Sequence, residues 1–298
     1  MSFSTSASAS VSTSAATSAS SSAAAAAGST GGFVPVPPAR IDLAAAPRGT
    51  FDPTDERLRA AATTFERALT ASTVEEEEAL WTVVIQSCER AGSAEWVPDI
   101  ASRALGNRGN ARSRQGRLAE ALDDYNKAIQ FAPYAVDPVL NRGVALESLG
   151  RFQEAAADYS AVLAVAPNDP AAWNNLGNTQ AGMGAWSDAV ESYRRASMLA
   201  PAFSFAAANY ALALYEVGND NAAIKQMRNL LRKYPEFPDM RAALAVALYA
   251  AGLRAESENA WSRVDDGRYR DREWVSEYRR WPPRLVAELA AFLDLKPV

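Results

Sequence analysis

Gly106-Asn107-Arg108-Gly109-Asn110-Ala111 is answered 34 residues later by Asn141-Arg142-Gly143. Another 34 residues bring Asn175-Leu176-Gly177, and a further 34 bring Asn209-Tyr210-Ala211. Two more sets keep this step: Ala121, Ala155, Ala189 and Ala223, and Pro133, Pro167, Pro201 and Pro235. So many independent positions in one register, from Arg103 to Pro235, mark the same helical hairpin written four times. A fixed period of this size signals a stacked-repeat solenoid, in which each unit buries its apolar face against its neighbours.

Within the period the residue types sort by task. The first helix of each unit, helix A, carries Gly109, Gly143, Gly177 and Ala211 at one position, where a small residue admits a close neighbour. The second, helix B, carries Tyr125, Tyr159, Tyr193 and Met227 four residues after its repeated alanine. Small and large residues are expected to meet across the hairpin. Gly116, Gly150, Gly184 and Gly218 end helix A with a left-handed cap, and the period-marking prolines end helix B. Asp137-Pro138 and Asp169-Pro170 then read as a cap and first-turn proline for the next helix A.

Trp173-x-x-Leu176-Gly177, Ala189-x-x-x-Tyr193 and Pro201 resemble the tetratricopeptide repeat (TPR) signature, with Gln180 where an aromatic is usual. The resemblance runs from Ser102 to Pro235. A weaker fifth unit, Pro238 to about Val264, keeps Leu244, Ala245, Gly252 and Trp261 but has Ser257 in place of the small alanine. The resemblance implies an all-α fold, a right-handed α-α superhelix (a TPR solenoid) with helical caps at both ends. The combination of the tail with these repeats resembles TPR proteins of cyanobacteria and plastids.

Outside the repeats the chain changes character. Residues 1–50 begin with a Ser/Ala/Thr/Gly run that has no basic residue before Arg40 and no acidic one before Asp42. Such a stretch has nothing to bury and is expected to be disordered. Being Ser-rich and acid-poor, it is a candidate organelle transit peptide, joined by the stiff Val34-Pro35-Val36-Pro37-Pro38 linker. Residues 51–97 read as a helical hairpin cap. Asp52-Pro53 would start its first helix, with Leu58, Ala61, Ala62, Phe65 and Leu69 on one face. Ser72 and Glu75 would form a capping box on the second, and the Glu75–Glu78 run would simply oppose the helix dipole. Residues 98–235 hold four TPR units and 236–264 the degenerate fifth. Residues 265–298 read as a C-terminal cap laced with ion pairs, closed by a helix with Leu285, Val286, Leu289, Phe292 and Leu293 on one side.

Composition excludes several chemistries. The chain has no histidine, so no His-based triad, His-ligated zinc or imidazole proton shuttle is available. Cys88 is the one cysteine, which rules out an intramolecular disulfide and a thiolate-rich metal site. No phosphate-cradling Gly-Lys loop occurs, and Asp123 and Asp124 are neighbours on a helix that point apart. No catalytic, cofactor or metal site is expected. The net charge of −5 argues against nucleic acid as a partner, and no apolar run is long enough to span a bilayer.

The candidate site is a ladder. Asn107, Asn141, Asn175 and Asn209 share one repeat position on the A helices, and Asn110 and Asn178 sit three residues further on. An amide both donates and accepts, so such a ladder can grip the main chain of an extended peptide. The resemblance places this grip on the concave face. Gly106, Leu140, Asn174 and Ala208 stand where chaperone-gripping TPR domains carry basic residues, so no full carboxylate clamp is expected. Arg103 and Arg114 remain as carboxylate partners in the first unit. Another role for the asparagines is to hold neighbouring helices together. The expected function is a non-catalytic interaction scaffold, a monomer that assembles or maintains a multiprotein, photosynthetic complex in a plastid. It would lie in the stroma or on the thylakoid, meeting the membrane through a partner. Alternatives are a regulatory or co-chaperone subunit of an enzyme complex and an RNA-binding helical repeat; the alternative location is the cytoplasm.

Overall fold

The computed structural model describes residues 35–47 and 51–294. The candidate transit peptide falls mostly in residues 1–34, outside the described residues. The described residues contain fourteen α-helices and no strand, so the fold class is all-α. They form two compact units, divided between Pro167 and Asn168.

The first unit contains α1 (Glu56–Leu69), α2 (Val74–Ala91), α3 (Val97–Arg114), α4 (Leu118–Phe131), α5 (Asp137–Ser148) and α6 (Phe152–Val165). Each helix packs on the next, and α3 also touches α5, so antiparallel hairpins stack as in a solenoid. An extended stretch and a single 3-10 turn at Leu43–Ala45 precede α1. The α1–α2 hairpin continues the stack: Trp81, Val84 and Ile85 share one core with Ile100, Ala104 and Leu105 of α3. Phe65 meets Trp81 edge to face at 4.7 Å. Cys88 lies in this core, and burial pushes its thiol up to about 11, so it packs as a small apolar residue.

The second unit contains α7 (Pro170–Gly182), α8 (Trp186–Leu199), α9 (Ser204–Glu216), α10 (Asp220–Lys233), α11 (Pro238–Ala250) and α12 (Arg254–Trp261). A 3-10 turn, Gly267–Arg270, leads to α13 (Arg272–Glu277) and α14 (Pro283–Asp294). Helix α14 lies against α11 and α9. Ser257, the fifth unit's departure, is fully buried because its hydroxyl donates to the Ala245 carbonyl at 2.7 Å. Asp239 ties the tail down, accepting from Arg279 Nε at 2.9 Å and Trp281 Nε1 at 3.0 Å.

The small-large rule is met at atomic scale. A Cβ placed on Gly109, Gly143 or Gly177 would lie 2.6–2.7 Å from the ring of Tyr125, Tyr159 or Tyr193. Tyr159 is completely buried and cannot swing away. Gly143→Ala is therefore expected to lose about 1–2 kcal/mol net, the overpacking cost exceeding the gain in helix propensity. Thermal denaturation followed by circular dichroism reads the loss, and Tyr159→Leu in the same chain should return part of it. The glycines that end the A helices have φ between 72° and 82°, the left-handed conformation predicted.

Four local expectations are corrected. Helix α1 is capped by Asp55, which accepts from Arg57 N and Leu58 N, while Asp52 closes its own turn on Thr54. The second capping box is Thr73 with Glu76, whose carboxylate accepts from Ser72 N at 3.0 Å. Leu69 points outward, 63% exposed, and Ala68 takes its place in the core. Asp169 caps α7, accepting from Ala172 N at 2.8 Å, but Asp137 is already inside α5, whose N-cap position is held by Val136.

Candidate peptide-binding site

In the first unit, Asn107 on α3 and Asn141 on α5 hold the same repeat position on adjoining A helices. Both are half-buried, and neither side-chain amide has a hydrogen-bond partner among the described residues. Asn110 differs, because its Oδ1 accepts from the Tyr125 hydroxyl at 2.8 Å. The two arginines are also engaged. Arg103 pairs with Asp99 one turn earlier at 3.2 Å, and Arg114 pairs with Glu77 of α2.

In the second unit the ladder is bonded to itself. Asn209 Nδ2 donates to Asn174 Oδ1 at 3.1 Å and to Asn178 Oδ1 at 3.3 Å. The Tyr193 hydroxyl donates to the same Asn178 oxygen at 3.0 Å. Asn175 Oδ1 receives a long bond, 3.4 Å, from Asn174 Nδ2. The six asparagines thus divide. Asn178 and Asn209 link α7, α8 and α9, Asn110 seats a buried tyrosine, Asn175 takes one long bond from its neighbour, and Asn107 and Asn141 keep a donor and an acceptor each for a ligand.

Two features of this region went unnoticed in the sequence. Arg108 and Arg142 stand where the third repeat has Leu176, and each forks onto a buried aspartate of the following B helix. Arg108 grips Asp124 at 2.7 and 2.9 Å, and Arg142 grips Asp158 at 2.7 and 2.8 Å. Both halves of the pair recur at 34 residues, so the period itself carried the signal. Second, Glu77 and Glu78 do more than oppose a dipole. Glu78 accepts from Arg117, from Arg112 Nε at 2.9 Å and from Gln115 at 3.0 Å.

The Arg117 hydrogen bond, with those of Arg112 and Gln115, holds the Glu78 carboxyl down at about 2 against the opposing effect of burial. A depressed acid stabilises the fold above its unfolded value near 4.5, and this stability is lost as pH falls toward 2. Glu78→Gln should therefore flatten the acid limb of a stability-against-pH curve while lowering stability at pH 7.

Among the described residues, no group of three or more His, Cys, Asp or Glu side chains could hold a metal ion. No described helix is long and apolar enough to cross a membrane.

Family models described as tetratricopeptide repeat match residues 102–134, 140–207 and 209–271, more than half of the chain. No curated protein matches the sequence. Among solved structures, a tetratricopeptide repeat protein from Parabacteroides merdae is similar with a TM-score of 0.58 at 16% identity, over 79% of this chain and 93% of that one. PilF of Pseudomonas aeruginosa gives 0.53 at 19% identity, over 66% and 92%. A double mutant of MamA from strain RS-1 gives 0.52 at 18%, over 59% and 94%. At these identities the likeness concerns the fold.

Proposed function

Because this chain belongs to the tetratricopeptide repeat family, whose members bind peptides and proteins, we propose that it is a non-catalytic scaffold that grips an extended client segment on its A helices. The observation that carries this reading is the pair of unbonded amides, Asn107 and Asn141, at one repeat position on adjoining helices. A half-buried amide with no partner in the protein is open to a ligand, and a peptide main chain offers it both an acceptor and a donor. Asn175, with its single long bond, holds the same repeat position within the second unit.

The test compares two substitutions. Asn107→Ala with Asn141→Ala should abolish most crosslinks to the client in native extract, read by mass spectrometry, and leave the melting temperature within a degree or two, as for surface sites. Asn209→Ala should lower the melting temperature, because it breaks a tie between α7 and α9. Melting that falls as far for the first pair as for Asn209→Ala would make those asparagines structural and sink the ladder.

The composition of residues 1–32 supports the plastid as the site of action; a multiprotein photosynthetic complex, assembled or maintained by this scaffold, is the client that follows from that location. Residues 1–50 fused to a fluorescent protein should direct it to plastids. A diffuse cytosolic signal would end the plastid reading and leave the scaffold reading standing.

A further inference from the structure

Residues Val36 to Asp42 lie extended along the second repeat and are held by their main chain. Val36 N donates to Glu154 Oε2 at 2.7 Å. Arg142 Nη2 donates to the Pro37 carbonyl at 3.1 Å. The Ala39 amide donates to the Asp158 carboxylate, and Asp42 N donates to the Pro133 carbonyl at 2.9 Å. The side chains of Val36 to Ile41 supply none of these bonds. Between Pro35 and Ala39 only Val36 and Ala39 possess an amide N–H, and a carboxylate receives each one. The three prolines fall where no donor is required, and they hold the segment extended before it docks.

The receiving groups are built into the repeat. Arg142 and Asp158 are 2% and 1% exposed, and each forks onto the other. Asn126 fixes the remaining edge of the guanidinium, its Oδ1 accepting from Nη1 at 2.7 Å. Burial pushes the Asp158 carboxyl up, and the hydrogen bonds from Arg142 and from the Ala39 amide pull it back. The docked segment therefore completes the coordination of a buried charge pair, as a ligand does.

We propose that the groove lined by Pro133, Arg142, Glu154 and Asp158 is a second peptide site, separate from the A-helix asparagines, which takes extended proline-rich segments by their main chain and is occupied in cis by Val36–Asp42. Recognition through N–H and C=O groups makes the occupant exchangeable for another segment with donors at the same spacing. The short connection to α1 keeps the resident segment at an effective concentration on the order of millimolar, so a competitor must exceed that. The groove thus works as a latch that couples the N-terminal region to the second repeat.

The experiment uses the full chain with a specific protease site in place of residues 48–50. After cutting, the released N-terminal piece is followed by native mass spectrometry, and a fluorescein-labelled peptide of residues 35–47 is titrated by anisotropy. The piece should stay bound, and excess unlabelled peptide should displace it. The uncut chain should bind the peptide at least about tenfold more weakly, since its groove is filled. A peptide with Ala39→Pro, which lacks one donated N–H, should also bind at least about tenfold more weakly than the parent peptide. This variant leaves the repeats untouched, so misfolding cannot mimic the result. Immediate loss of the cut piece with no saturable peptide binding, or equal binding of the Ala39→Pro peptide, would overturn the proposal.

Discussion

Arg142→Ala should cost the first unit about 3–5 kcal/mol, because it strands a buried carboxylate. The guanidinium makes four hydrogen bonds: two to Asp158, one to Asn126 and one to the Pro37 carbonyl. Without it, burial acts on Asp158 with its chief counterweight removed, and the carboxyl is driven further up. An acid whose folded value is raised holds its proton longer in the native state than in the unfolded one. Its stabilising contribution is present at low pH and lost as pH rises through that value. The gap in melting temperature between wild type and Arg142→Ala should therefore be wider at pH 7 than at pH 4.

A double variant separates the charge from the space it occupies. Arg142→Leu with Asp158→Ala removes both partners, and the third repeat shows that leucine suits this position, where Leu176 is buried. Replacing a buried pair with apolar groups is often neutral in stability. The double variant should recover most of the melting temperature while losing the docked 35–42 segment, since Arg142 and Asp158 supply two of its bonds. If it melts as low as Arg142→Ala, the site depends on shape or on Asn126 rather than on an uncompensated charge.

Periodicity and size made the hairpin frame readable. Gly143 opposite Tyr159 follows from a small residue and a large one sharing one phase, and Gly150 follows from the backbone conformation a helix end requires. Asp137-Pro138 and Asp169-Pro170 look alike as dipeptides, but they are 32 residues apart, not 34. Asp137 is thus two places later in its unit and falls inside the helix that Asp169 caps in the next unit.

The candidate site was legible only as a set of positions. The ladder's spacing brought out Asn107, Asn141, Asn175 and Asn209, yet it does not show that Asn209 bonds Asn174 and Asn178, 35 and 31 residues earlier, while Asn107 and Asn141 bond none of the described residues. Residues 35–42 carry no periodic pattern, and their bonds use main-chain atoms that every residue has. A linker and a docked segment therefore look the same until the carboxylates at 154 and 158 are in place. The helix that carries Glu77 and Glu78 shows only their place near its N-terminus, while the arginines that claim them lie 34 to 39 residues downstream.

Phe292→Ala should cost the second unit about 3–5 kcal/mol. The ring is fully buried and meets Trp261 edge to face at 4.9 Å and Tyr249 at 5.1 Å. It shares its core with Leu285 and Leu289 of the same helix, both with no exposed surface. The cost is large because of what α14 covers. From Ala242 to Leu248 every residue of α11 is buried, so this helix is apolar around its whole circumference and needs a neighbour on each side. A repeat of ordinary amphipathicity could end a stack with its polar face outward, but α11 cannot. Loosening α14 would therefore expose a continuous apolar surface, and such surfaces drive association. Phe292→Ala should show a lower melting temperature, faster proteolysis after α12 and concentration-dependent oligomers by light scattering. Phe292→Leu should lose much less, since it leaves a smaller cavity and keeps the helix seated. A variant that melts within about 1 kcal/mol of wild type and stays in its original oligomeric state would mean that Trp281 and the Asp239 ties, not the aromatic cluster, hold the cap.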